Sequence, residues 1–195
     1  MSGICSHDLY GNLGTSILFI FLWISIFLLA RKTKTKALLD KVSFRAENLP
    51  WIVIIPILLV FLVDFIALAI FNYPLTSDNN CPAVWLFALI GFLQPIAEEF
   101  AFRVLFFGIF FMTALDWLTS RKLIDKTNRN LLIVCGLITQ AVIFMYFHEY
   151  RLDDIFRLTA GLLNGFLYVY YRNNPLPAVT AHISNNMITI ISNLV

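Results

Sequence analysis

Three small polar clusters could do chemistry in this chain: Glu98-Glu99-x-x-x-Arg103, Phe144-x-x-x-His148 and His182-x-x-x-Asn186. Each interrupts a stretch that is otherwise apolar enough to cross a membrane. A charge at mid-bilayer depth costs about 2.5–3.5 kcal/mol on insertion scales, so ionisable groups there face a bundle interior and usually have a task. A single carboxylate could be an accident of a helix end. Two adjacent carboxylates, an arginine and two histidines point to a buried reaction centre.

Helix geometry divides the labour. Neighbouring residues point about 100° apart, while residues four apart lie nearly above one another. Glu98 and Glu99 therefore cannot share a face, but Glu99 and Arg103 can, and pairing would neutralise both charges. Glu98 then shares its face with Gln94, Phe102 and Leu105. Apolar surroundings disfavour the charged form of such a carboxylate and suit it to taking up a proton as a general base. Glu98 is thus expected to act chemically and Glu99 structurally. His148 and His182 are the natural proton-handling partners near neutral pH, with His148 by preference sharing a water with Glu98. His182 and Asn186 project together and could donate hydrogen bonds to a developing oxyanion. Glu149 follows His148, but Leu152 stands where an HExxH motif needs its second histidine. A metal held by His148, His182 and a glutamate stays open on the residues alone.

Taken singly, each feature has a blander explanation. A lone intramembrane histidine is more often a packed, hydrogen-bonded residue than a catalyst. A Glu–Arg pair can be a structural staple, and Phe144 is one of nineteen phenylalanines that mostly supply bulk. The functional interpretation rests on all three clusters occurring together in separate apolar spans.

The rest of the chain must position these groups within a bilayer. Of 195 residues, 59% are hydrophobic and 13% charged, with a mean hydropathy of +0.80. Ordinary soluble domains are nearer 45–50% apolar and about 25% charged, so the composition is that of an integral membrane protein. Apolar runs at roughly 14–30, 51–71, 83–117, 131–148, 154–171 and 177–195 predict a polytopic all-α transmembrane bundle of about six spans. The third run is too long for one straight crossing and must kink, tilt or emerge into water. Pro95, which cannot donate to the carbonyl of Gly91, gives it a place to kink. Residues 1–195 are expected to form a single membrane domain, with 1–82 supplying two spans and a basic loop, and 83–190 the catalytic core.

Eleven of the fourteen Lys and Arg residues fall in segments on one side of a six-span arrangement. They lie in 31–45 (Arg31 to Arg45), in 121–129 (Arg121 to Arg129) and at Arg172. The positive-inside rule puts these basic loops in the cytoplasm and both termini outside. The basic stretch 31–45 reads as a topology anchor rather than a dedicated ligand site. The first apolar run lacks a basic n-region and a small-residue cleavage site, which predicts a retained helix. Cys5, Cys81 and Cys135 have no metal-ligand spacing. Cys5 and Cys81 are expected on the non-basic side as separate thiols, and Cys135 within span four.

The ordered set of three motifs resembles the CPBP family, the CAAX proteases and bacteriocin-processing enzymes also called Abi proteins. The resemblance covers about residues 83–190 and includes Pro95 before the paired carboxylates and the Asn174-Pro175-Leu176-Pro177 run before His182. It implies a glutamate-dependent intramembrane endopeptidase in a prokaryotic cell membrane, with Glu98, His148, His182 and Asn186 catalytic. Glu99, Arg103 and Phe144 are then supporting residues. It further implies no metal or other cofactor and a protein or peptide substrate, for which a prenylated or membrane-anchored C-terminus, a bacteriocin leader and a sorting-signal tail all fit, with the bilayer as surroundings and no nucleic-acid partner. Val104 departs from the glycine that often follows the motif arginine, which bears on helix packing at that point. The alternative is a non-proteolytic scaffold or peptide-toxin immunity protein on the same frame. Ideal spans place His148 near the outer end of span four and His182 near the inner start of span six. An extended 172–181 segment dipping into the bilayer is expected to bring His182 to Glu98.

Overall fold

A computed structural model of the chain describes residues 49–71, 91–147 and 155–192, together with Phe21 and Ile24. The described segments are helices, with no strand among them: α1 (Leu49–Phe71), α2 (Gln94–Glu99), a π-helical stretch (Phe100–Phe111), α3 (Met112–Ser120), α4 (Lys126–Phe147), α5 (Ile155–Tyr170) and α6 (Leu176–Ser192). His148, Cys5, Cys81 and most of the first expected span lie outside the described residues.

The long third span is one helix of 30 residues, Gly91–Ser120, and its irregularity differs from the expected proline kink. Residues 91–93 and 100–111 take the wider π geometry on either side of the α turn that holds Pro95. The sequence explains what this achieves. The inward residues Glu99, Arg103, Phe107, Phe111 and Leu115 are spaced by fours. In a straight α-helix each such step overshoots a full turn by about 40°, which accumulates to about 160° over the series. Bonding from i to i+5 widens the turn and holds the column on one side. Glu99, Arg103, Phe107 and Leu115 are all buried, as is Val104, with Phe111 packed against the same cluster.

A wide helix also needs side-chain help with its backbone carbonyls. Gln140, fully buried on α4, donates from Nε2 to the carbonyl of Phe102 at 2.6 Å. Gln140→Leu keeps the bulk and removes that donor. It should cost about 1–3 kcal/mol, seen as a lowered melting temperature in detergent; an unchanged value would mean the carbonyl does not depend on Gln140.

α6 is central, packing against α1, α2 and α5, while α4 runs along α5. The α4–α5 contact is close because Gly161 has no side chain: a Cβ there would stand 3.1 Å from the Cα of Ala141. Gly108 likewise makes room for the Tyr168 hydroxyl. On the outside, α1 presents Trp51, Leu58, Phe61 and Phe65, the apolar surface expected toward lipid.

Two helices among the described residues, Gly91–Ser120 and Lys126–Tyr146, are long and apolar enough to cross a membrane by length and composition. The expected count of six is therefore not reached on that criterion. α5 and α6 have 16 and 17 residues. At 1.5 Å per residue they reach about 24–26 Å, short of a hydrocarbon core of about 30 Å.

The expectation of an extended 172–181 segment is corrected. Only a short turn, 171–175, separates α5 from α6, with Arg172 and Asn173 at positive φ of 57° and 63°. Asn174 Oδ1 accepts the backbone N–H of Leu176 at 3.1 Å, and Pro175 follows as the first residue of the new turn. A polar cap followed by proline starts a helix, because proline's missing N–H would have had no intrahelical partner there. His182 thus lies about 9 Å along α6, while Phe144, which it touches, lies about 27 Å along α4. The depth mismatch is resolved by the α3–α4 hairpin, which runs about 18 Å beyond the α5–α6 turn. Asp116 and Arg129 tie that hairpin together at 3.0 Å, and Asp125 caps the start of α4.

Candidate active site

Glu99 is the hub. It is fully buried, and each of its oxygens has cationic or donor groups around it. Oε1 accepts from His182 Nδ1 at 2.8 Å and from Asn164 Nδ2 at 3.0 Å. Oε2 lies 3.0 Å from Arg103 Nε, with the N–H not aimed along a hydrogen bond, so this contact is Coulombic more than directed. Arg103 is itself fully buried. Its Nη2 donates to the carbonyl of Gly161 at 3.0 Å, and its guanidinium lies 5.0 Å from the ring centre of Phe144. The four-residue pairing of Glu99 with Arg103 is therefore present, with the arginine further braced by α5 and α4.

Glu98 points to the other side of the same turn. Gln94 Nε2 donates to its Oε1 at 2.7 Å, and its Oε2 lies 3.6 Å from His182 Nε2. His182, buried on α6, thus stands between the two carboxylates, with one ring nitrogen toward each. A carboxylate only accepts, so the short contact to Glu99 requires the proton on Nδ1 and leaves the lone pair of a neutral ring on Nε2, facing Glu98. With Glu99 ionised, Arg103 balances its charge across the 3.0 Å pair.

Phe144 packs edge-on against both His182, at 5.6 Å between ring centres, and Phe102, at 5.5 Å. Its four-residue spacing before His148 therefore brings the last described turn of α4 to the histidine on α6. Asn186 lies one helical turn beyond His182 and is half-buried. The structure brings together Glu98, Glu99, Arg103, Phe144 and His182; His148 falls outside the described residues. Among the described residues no three His, Cys, Asp or Glu groups are arranged to hold a metal ion.

A family model, the type II CAAX prenyl endopeptidase Rce1-like family, matches residues 80–188. The chain belongs to this family. No curated protein and no solved structure matches it. Membership in the Rce1-like family makes the chain a membrane-integral protein, in keeping with its two long apolar helices, and implies a peptidase with a protein or peptide substrate. The match spans α2 through most of α6, so it encloses every polar group described above and leaves out α1.

Asn164 and Gln140 were not among the residues singled out from the sequence. Both are uncharged polar residues inside apolar runs, the property that drew attention to the carboxylates, and Asn164 is only 2% exposed. Val104, at the position of the family's frequent glycine, is buried against Phe107 and Tyr168 where the π turn widens the helix.

Proposed function

We propose that the chain is an intramembrane endopeptidase that hydrolyses a peptide bond near the end of a prenylated or membrane-anchored substrate, with Glu98 as general base. The carrying observation is the 3.6 Å edge between Glu98 Oε2 and His182 Nε2. One water oxygen, about 2.8 Å from each, fits beside that edge. It attacks the scissile carbonyl carbon as its proton passes to Glu98. The C–N bond then breaks, and the same proton goes to the leaving amine. Glu99 and Arg103 hold the imidazole of His182 in the orientation that leaves Nε2 facing the water. Asn186, one turn on, donates to the oxyanion, and His148, just beyond the last described turn of α4, is the second proton carrier. Purified protein in detergent should cleave a farnesylated CAAX reporter peptide, and cleavage should persist with a chelator present. Strong inhibition by chelator, reversed by zinc, would replace this mechanism with a metal one.

The proposed setting is a single membrane domain of six spans in a prokaryotic cell membrane, with the basic loops cytoplasmic. Single cysteines placed at Lys36 and Lys126, in a background without Cys5, Cys81 and Cys135, should resist an impermeant maleimide on intact cells. A cysteine restored at position 5 or 81 should react. Labelling of positions 36 and 126 from outside would invert the topology.

A further inference from the structure

Glu99 Oε1 receives two donors, and only one of them comes from the recurrent motifs. The other is Asn164, in the middle of α5, two per cent exposed and 3.0 Å away. A carboxylate oxygen can only accept, so the side-chain amide must turn its NH2 toward Glu99. We infer that Asn164 is a positioning residue for the reaction: it holds the Glu99 carboxylate oriented so that His182 keeps its proton on Nδ1 and its lone pair on Nε2.

The three groups around Glu99 come from three directions. Arg103 reaches Oε2 from the next turn of the same helix, His182 reaches Oε1 from α6, and Asn164 reaches Oε1 from α5. Arg103's contact is not aimed as a hydrogen bond, so the directed bonds that fix the carboxylate's rotation are those of His182 and Asn164. Remove Asn164 and His182 is the one directed partner left among the described residues. The carboxylate can then swing about its last side-chain torsion toward Arg103, whose Nη1 has no acceptor among the described residues. Once Glu99 turns away, nothing on the described side of the ring selects Nδ1 over Nε2 as the protonated nitrogen. A ring protonated on Nε2 would present a hydrogen, not a lone pair, to the water beside Glu98. The imidazole would remain in place but in the wrong tautomer, a fault in chemistry and not in folding.

α5 is built to bring Asn164 this close. Gly161 and Gly165 flank it on the helix face toward α4, and a Cβ at Gly165 would approach Leu137 at 3.0 Å. The face carrying Gly161, Asn164, Gly165 and Tyr168 is the same one that receives Arg103 and Gln140, so the amide is delivered by close helix packing.

This inference rests on the proposed hydrolase reading for its effect on rate, but not for its effect on the ring. The test is Asn164→Leu, which has the same branching and no donor, with the smaller Asn164→Ala as the second variant should leucine fail to fold. Two measurements are made. One is steady-state cleavage of the farnesylated reporter. The other is the 15N spectrum of histidine-labelled protein, with His182 assigned by its loss in His182→Gln. The expected result is a 10–100-fold fall in kcat with KM within about twofold. The His182 signals should change from a single Nδ1–H form to a mixture. Unchanged kcat together with an unchanged tautomer overturns the inference. So does a loss of activity that appears in KM alone or only with a collapsed melting temperature, since that is a packing role. The spectrum needs no substrate: if the wild-type protein failed to cleave the reporter, the hydrolase reading would fall while the tautomer result still decided the role of Asn164.

Discussion

Glu98→Gln should abolish cleavage of the reporter peptide while leaving the protein folded. Glutamine keeps the length and planarity of the side chain and can still offer an oxygen to Gln94 Nε2, which bonds Glu98 at 2.7 Å. What it loses is the capacity to take a proton from water. Positioned general acid–base groups contribute about 10²–10⁴-fold to rate. The base takes the proton of the attacking water directly, so the expected fall in kcat is at the upper end, about 10³-fold or more. Folding should not suffer, because glutamine keeps the shape of the side chain and the bond from Gln94. Glu99→Gln makes the instructive contrast. It leaves Arg103 without its counter-ion and should lower both activity and melting temperature. If Glu98→Gln were to retain wild-type turnover, water activation at this carboxylate would be ruled out. A deletion phenotype that Glu98→Gln complements would then indicate that the protein works by binding.

That the two carboxylates can be separated at all follows from spacing visible in the sequence. Consecutive helical residues diverge by about 100°, so Glu98 and Glu99 had to enter different surroundings, and Arg103 four residues on could reach only one of them. The helices themselves were legible for the same kind of reason. Apolar runs over 51–71, 131–148, 154–171 and 177–195 reappear within a few residues as α1, α4, α5 and α6. The π stretch was not foreseen, because residue-by-residue hydropathy carries no information on whether a turn closes at i+4 or i+5. Its trace was nonetheless present in the fourfold spacing of Glu99, Arg103, Phe107, Phe111 and Leu115, which an α-helix cannot keep on one side. The start of α6 was misjudged for a different reason. Two prolines in four residues were weighed as helix breakers, whereas after a polar Asn174 cap they stand where a helix has no use for the missing N–H. The relative depth of His182 was not legible either. It depends on how far one helical hairpin slides past another, which is decided by contacts such as Phe144 on His182 and Gly108 on Tyr168.

Arg103→Ala should be the most damaging substitution to stability in the described part of the chain. The guanidinium is wholly buried and engages three elements at once: Glu99 on its own helix, the carbonyl of Gly161 on α5, and the face of Phe144 on α4. Alanine leaves Glu99 as a buried carboxylate without its cation and leaves a void beside Phe144. Breaking a buried pair by removing one partner typically costs 3–5 kcal/mol, which for a chain of this size corresponds to a melting temperature lower by roughly 10 °C. Activity should fall with it, since His182 takes its orientation from Glu99. The origin of the loss can be isolated by charge. Arg103→Met with Glu99→Gln removes both charges and restores much of the lost volume, so it should recover most of the melting temperature. It should not recover cleavage, because an amide at position 99 no longer forces the proton onto Nδ1 of His182. Were Arg103→Ala to keep its melting temperature and lose only activity, the arginine would be acting on substrate. Were the double variant to regain full cleavage, an ionised Glu99 would have no part in setting the imidazole, and His182 would take its orientation from packing against Phe144 alone.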